Sequence, residues 1–108
     1  MRMRAAISFA PVAFAASLTA TAGFARGEGD KALGEYLSSE CVTCHQITGR
    51  YEGIPPIVGW PNTMFIEIMG EYRAKKRANP IMQTIAVRLS EEEIAALAAY
   101  FGGLRPAN

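Results

Sequence analysis

Metal-binding side chains are scarce in this chain: its 108 residues hold two cysteines and one histidine. A structural zinc site made from Cys and His usually needs four such ligands. Three residues, two of them adjacent, do not make one. An excess of charge is also missing, since 11 Lys and Arg stand against 10 Asp and Glu, a net of +1. That removes the overall electrostatic case for a nucleic-acid partner. The sequence has no internal repeat and no low-complexity tract beyond an apolar N-terminal stretch. It also lacks the βαβ pattern that a thioredoxin-like C-x-x-C pair requires.

What is present is concentrated in five residues, Cys41-Val42-Thr43-Cys44-His45. C-x-x-C-H is the attachment signature of a c-type haem. Two thiols three residues apart reach the two vinyl groups on one porphyrin edge, and the histidine that follows is held over the iron as an axial ligand. A disulfide across so short a loop would be strained and would leave His45 without a role. Both cysteines and the only histidine of the chain are used in this one motif.

The N-terminus reads as a secretory signal peptide, residues 1–25. Arg2 and Arg4 make a basic start, an apolar run follows from Ala5 to Ala22, and small residues close it. Ala20-Thr21-Ala22 and Gly23-Phe24-Ala25 offer cleavage after Ala22 or Ala25. Pro11 and the modest hydrophobicity argue against a retained anchor, since a spanning helix wants about 20 strongly apolar residues. The expected location is therefore periplasmic, with no stable membrane span after cleavage. The remainder, residues 26–108, is one small domain of net charge −1 once Arg2 and Arg4 are removed from the +1 total. A domain of this size often needs a cofactor or other staple to complete its core.

The patterning predicts an all-α fold. A first helix is expected from Asp30, its N-cap, to Glu40, with Leu33 and Leu37 on one face. Residues 46–61 read as loop, interrupted by Gly49, Gly53, Pro55, Pro56, Gly59 and Pro61. A second helix is expected from Asn62 to about Lys76, with Phe65, Ile68, Met69 and Tyr72 as a buried stripe. Asn79-Pro80 ends that region, and a short helical turn is expected after Pro80. Ser90 and Glu93 form a capping box for the last helix. Its inner face is Ile94, Leu97, Ala98, Phe101 and Leu104, and Gly102-Gly103 and Pro106 mark its end.

A six-coordinate electron-transfer haem needs a second axial ligand, and methionine suits both oxidation states of the iron. Of five methionines, Met1 and Met3 lie in the leader, Met69 reads as core and Met64 as structural. Met82, in a loop just after Pro80, is the remaining candidate. The alternative is that it fills a gap in the core.

Together these features resemble a class I, mono-haem cytochrome c. The resemblance rests on Cys41–His45, on Ile54-Pro55-Pro56-Ile57-Val58-Gly59, on Pro80-Ile81-Met82 and on the tail Leu89–Phe101. It covers residues 28–104. It implies three main helices around one covalent haem c, with His45 and Met82 on the iron. It also implies a carbonyl from Pro55, or failing that Pro56, on His45, which would fix the imidazole.

Phe65–Tyr72 and Ile81–Ala86 are further similar to the cytochrome subunit of flavocytochrome c sulfide dehydrogenase. That likeness implies one-electron transfer, not enzymatic turnover by this chain, with a flavoprotein subunit as redox partner. A free periplasmic shuttle is the alternative within the class. A ligand-binding or catalytic haem with an open sixth position is the alternative outside it. A single C-x-x-C-H limits the chain to one haem, and Trp60 stands where the general loop usually has a polar residue. The cluster Arg73, Lys75, Lys76 and Arg77 reads first as a solvated helix end, cations being favoured at a helix C-terminus. Its other reading is a steering surface for an acidic partner.

Overall fold

The computed structural model describes residues 2–17 and 29–106. Both expected cleavage positions lie outside the described residues, and residues 2–17 are exposed and without secondary structure. The described residues contain helices and no strand. These are α1 (Lys31–Leu37), α2 (Ser39–Val42), α3 (Asn62–Arg73), α4 (Pro80–Val87) and α5 (Glu91–Gly102). The all-α expectation holds, although the first helix is divided and a fourth substantial helix is added.

Helix α1 starts where Asp30 Oδ1 accepts hydrogen bonds from the backbone N–H groups of Ala32 (3.0 Å) and Leu33 (3.2 Å). These are two donors that the helix itself leaves without partners. The helix is interrupted at Ser38, a buried residue whose hydroxyl donates to the Glu35 carbonyl at 2.6 Å. That bond draws the backbone out of regular α-helical pairing. The chain resumes as α2, so helical structure runs on to Val42 and ends two residues beyond the expected Glu40.

Helix α5 organises the core. Ser90 Oγ accepts from the Glu93 N–H at 3.1 Å and Glu93 Oε1 accepts from the Ser90 N–H at 3.0 Å. Glu91, Glu92 and Glu93 fill its first turn, where the helix dipole favours negative charge. Its buried face, Ile94, Leu97, Ala98 and Phe101, shares one core cluster with Phe65 and Met69 of α3, Ala86 of α4 and Ile57 and Val58 of the long loop. Phe65 stacks on Phe101 at 6.0 Å, and Trp60 meets Phe65 edge-on at 6.4 Å.

Helix α1 packs on α5 more closely than any side chain would permit. A Cβ added to Gly34 would overlap the Ala96 carbonyl oxygen. Glycine is needed there so that the two backbones can touch. The long loop is tied to the same helix, with the Gly59 N–H bonded to the Phe101 carbonyl at 2.8 Å.

Two boundaries differ from the sequence reading. Helix α3 stops at Arg73, three residues short of Lys76, because Lys75 adopts a left-handed conformation, φ 58°. The Lys76 N–H reaches back to the Glu71 carbonyl (2.8 Å) and the Lys75 N–H to that of Tyr72 (3.0 Å). This is a Schellman closure, with lysine where glycine is usual. The region after Pro80 is an eight-residue helix and not a single turn. Asn79 is its cap and Pro80 its first residue, where a missing N–H costs nothing.

Candidate functional site

The attachment turn follows directly from α2. The N–H groups of Cys44 (3.2 Å) and His45 (2.8 Å) both bond to the Cys41 carbonyl. Cys41, Cys44 and His45 therefore keep helical spacing, i, i+3 and i+4, which gathers them on one side of the turn. Thr43 turns back to bond the Glu40 carbonyl at 3.0 Å. Both thiols are free. Cys44 is exposed, whereas Cys41 is half-buried against the core. Burial first, and then the nearby Glu40 carboxylate, push the Cys41 thiol up to about 11, since both disfavour the thiolate.

His45 is half-buried, and its Nδ1 lies 2.6 Å from the carbonyl oxygen of Pro55. A carbonyl only accepts, so Nδ1 carries the proton and Nε2 keeps its lone pair for a metal. The neighbouring carbonyl of Pro56 is not the one used. Pro55 is held in place from downstream, because Ile57 and Val58 are buried in the core and Gly59 is bonded to α5. A loop rich in proline and glycine thus presents one carbonyl at a fixed point.

Met82 lies in the first turn of α4, not in a loop. Its N–H is bonded by the Asn79 side-chain oxygen at 3.1 Å. The side chain is half-buried and packs against the same core cluster as Cys41. The other described methionines of the domain differ from it. Met69 is 6% exposed within the core, and Met64 is 37% exposed on α3. Tyr72 and Tyr100 are half-buried at the core margin, as is Trp60. The basic cluster is exposed and partly engaged, since Arg77 pairs with Glu71 at 2.8 Å and lies 5.7 Å from the Tyr72 ring centre.

The donor set suits one covalent haem. It offers two free thiols for two thioether bonds and an imidazole with an available Nε2, while Cys41 and Val42 rest against the apolar core. Among the described residues, no group of three or more His, Cys, Asp and Glu side chains converges as a metal cage. No described helix is long and apolar enough to cross a membrane.

The cytochrome c family matches residues 31–104, which includes every helix and the whole attachment turn. The chain belongs to the cytochrome c family. As a cytochrome c it carries one haem c, bonded through Cys41 and Cys44, and haem-based electron transfer is the activity of the domain. The crystal structure of reduced recombinant cytochrome c4 from Pseudomonas stutzeri is similar, with a TM-score of 0.63 and 28% identity. The alignment covers 73% of this cytochrome and 52% of that chain. The thiosulfate dehydrogenase electron acceptor of Stutzerimonas stutzeri (strain A1501) is 37% identical over 62 residues, 55% of this chain and 29% of that protein. This cytochrome thus spans about half of one relative's length and under a third of the other's.

The sequence reading missed the groups that hold the Met82 turn: Asn79 as cap, Gln83 and the Arg77–Glu71 pair. Asn79-Pro80 was the available signal. A capping residue followed by proline starts a helix as readily as it ends one.

Proposed function

We propose that this protein is an exported one-electron carrier whose iron is held between His45 and Met82, and that it accepts electrons from an enzyme oxidising a reduced sulfur compound. When bound, the haem supplies an iron that gains and loses one electron without a bond being made or broken in a substrate. The observation that carries the reading is the His45–Pro55 bond, which leaves the Nε2 lone pair available in the turn that carries two free thiols. The carbonyl also makes the imidazole a stronger donor. Met82 is favoured as the second ligand by its place in a capped turn on the same core margin. A thioether there raises the potential and occupies the sixth position, which disfavours the ligand-binding or catalytic alternative.

The proposed donor is a flavoprotein subunit of sulfide dehydrogenase type, supported by the resemblance of Phe65–Tyr72 and Ile81–Ala86 to the cytochrome subunit of that complex. A free shuttle is the second reading. The relative named as an electron acceptor of thiosulfate dehydrogenase favours it. Export rests on residues 1–25 as a cleaved leader, with 26–108 as the working domain in the periplasm.

The test is the absorption spectrum of the purified holoprotein, oxidised and reduced, beside Met82→Ala. Low-spin wild type, with a long-wavelength thioether–iron band that disappears in the variant, is the expected result. A high-spin wild type that the substitution leaves unchanged would overturn the assignment and favour an open iron site.

A further inference from the structure

The connection from α3 to Met82 has no apolar anchor: residues 73–81 are all exposed. Polar groups fix it instead. Arg77 Nη1 donates to Glu71 Oε2 at 2.8 Å, with its guanidinium carbon 5.7 Å from the Tyr72 ring centre. The backbone carbonyl of Arg77 accepts from Gln83 Nε2 at 2.8 Å, across six residues. Gln83 follows Met82, and its own N–H bonds the Asn79 carbonyl at 2.9 Å. One side chain therefore ties the first turn of α4 to a loop that is itself pinned to α3.

Methionine is unbranched and flexible, so a sulfur held at one point needs the backbone that carries it to be held as well. We infer that Gln83, through its bond to the Arg77 carbonyl, is a positioning residue that sets how readily an external ligand displaces Met82. The inference rests on Met82 as the axial ligand. The inferred displaced state is one in which the first turn of α4 moves with the sulfur, and that movement breaks the Gln83–Arg77 bond. The apparent affinity of a competing ligand scales with the population of the displaced state. Removing a neutral hydrogen bond present only in the closed state raises that population about two- to tenfold.

The experiment is an imidazole titration of the ferric holoprotein, followed by absorbance well below the unfolding temperature. The variants are Gln83→Leu and Gln83→Glu, neither of which keeps the donor, with Thr84→Val and Met82→Ala as references. Thr84 Oγ1 bonds the Pro80 carbonyl inside the same helix at 2.8 Å, so its loss reports a merely local weakening of α4. Both Gln83 variants are expected to bind imidazole about two- to tenfold more tightly than wild type. Thr84→Val should stay within about twofold of wild type, because its bond moves with the helix. Met82→Ala should bind most tightly of all. Either Gln83 variant at wild-type affinity, or Thr84→Val moving as far, overturns the inference while leaving the ligand assignment intact. Met82→Ala at wild-type affinity removes the ligand assignment and this inference with it.

Discussion

The two sides of the candidate iron site are held by different means. On the His45 side the scaffold is backbone against backbone: Gly34 of α1 lies directly on the Ala96 carbonyl of α5, and the attachment turn follows from α2, next along the chain from α1. On the Met82 side the approach is an exposed segment fixed by Asn79, Gln83 and the Arg77–Glu71 pair. Close packing tolerates almost no change in volume. Surface hydrogen bonds and ion pairs compete with water and contribute about 1.5 kcal/mol or less each. The Met82 side is therefore the one expected to yield first when the protein is stressed.

The largest break in this contrast comes from Gly34→Ala. The added methyl group has backbone and not a flexible side chain in its way, so α1 must shift from α5. A loss of about 3 kcal/mol is expected, at the upper end of overpacking costs. It would be read from the urea midpoint of the ferric holoprotein, and an unchanged midpoint would mean that the crossing is looser than its geometry. Asn79→Ala removes the α4 cap and is expected to cost about 1 kcal/mol. Here the thioether–iron band should fade in urea before global unfolding is detected by circular dichroism. Coincident transitions would show that the two sides open together. The smallest effect is a gain. Lys75→Gly relieves a left-handed lysine and should stabilise by about 0.5–1 kcal/mol, the steric relief being offset in part by greater freedom of the unfolded chain. A lower midpoint for that variant would remove the strain argument at Lys75.

The same contrast divides what was legible in the sequence. Ser90 and Glu93, Asp30 and the stripe through Phe65 and Met69 follow local rules, and the structure places each where those rules put it. The attachment turn was legible because its chemistry is written in five consecutive residues. Helix α4 was not. Pro80 was weighed as a breaker, although Ile81, Met82, Ile85, Ala86 and Leu89 repeat with helical spacing and Asn79 was available as a cap. The end of α3 was missed because lysine gives no hint of a left-handed residue. Only the returning bonds from Lys75 and Lys76 reveal it. The break at Ser38 comes from one hydroxyl choosing a backbone partner, a choice that composition does not encode. Gly34 carries no signature in the sequence because its constraint is imposed by Ala96, more than sixty positions away.

That separation has a consequence for the order of events during maturation. The element that flanks the attachment turn has its packing partner near the far end of the polypeptide. Until Glu91–Gly102 has emerged, α1 has nothing to lie against, and a helix of seven residues is too short to persist alone. The Cys41 sulfur is then solvated, without the burial that it meets against the folded core. Until α5 docks, both sulfurs stay open to solvent and to the chemistry that bonds them.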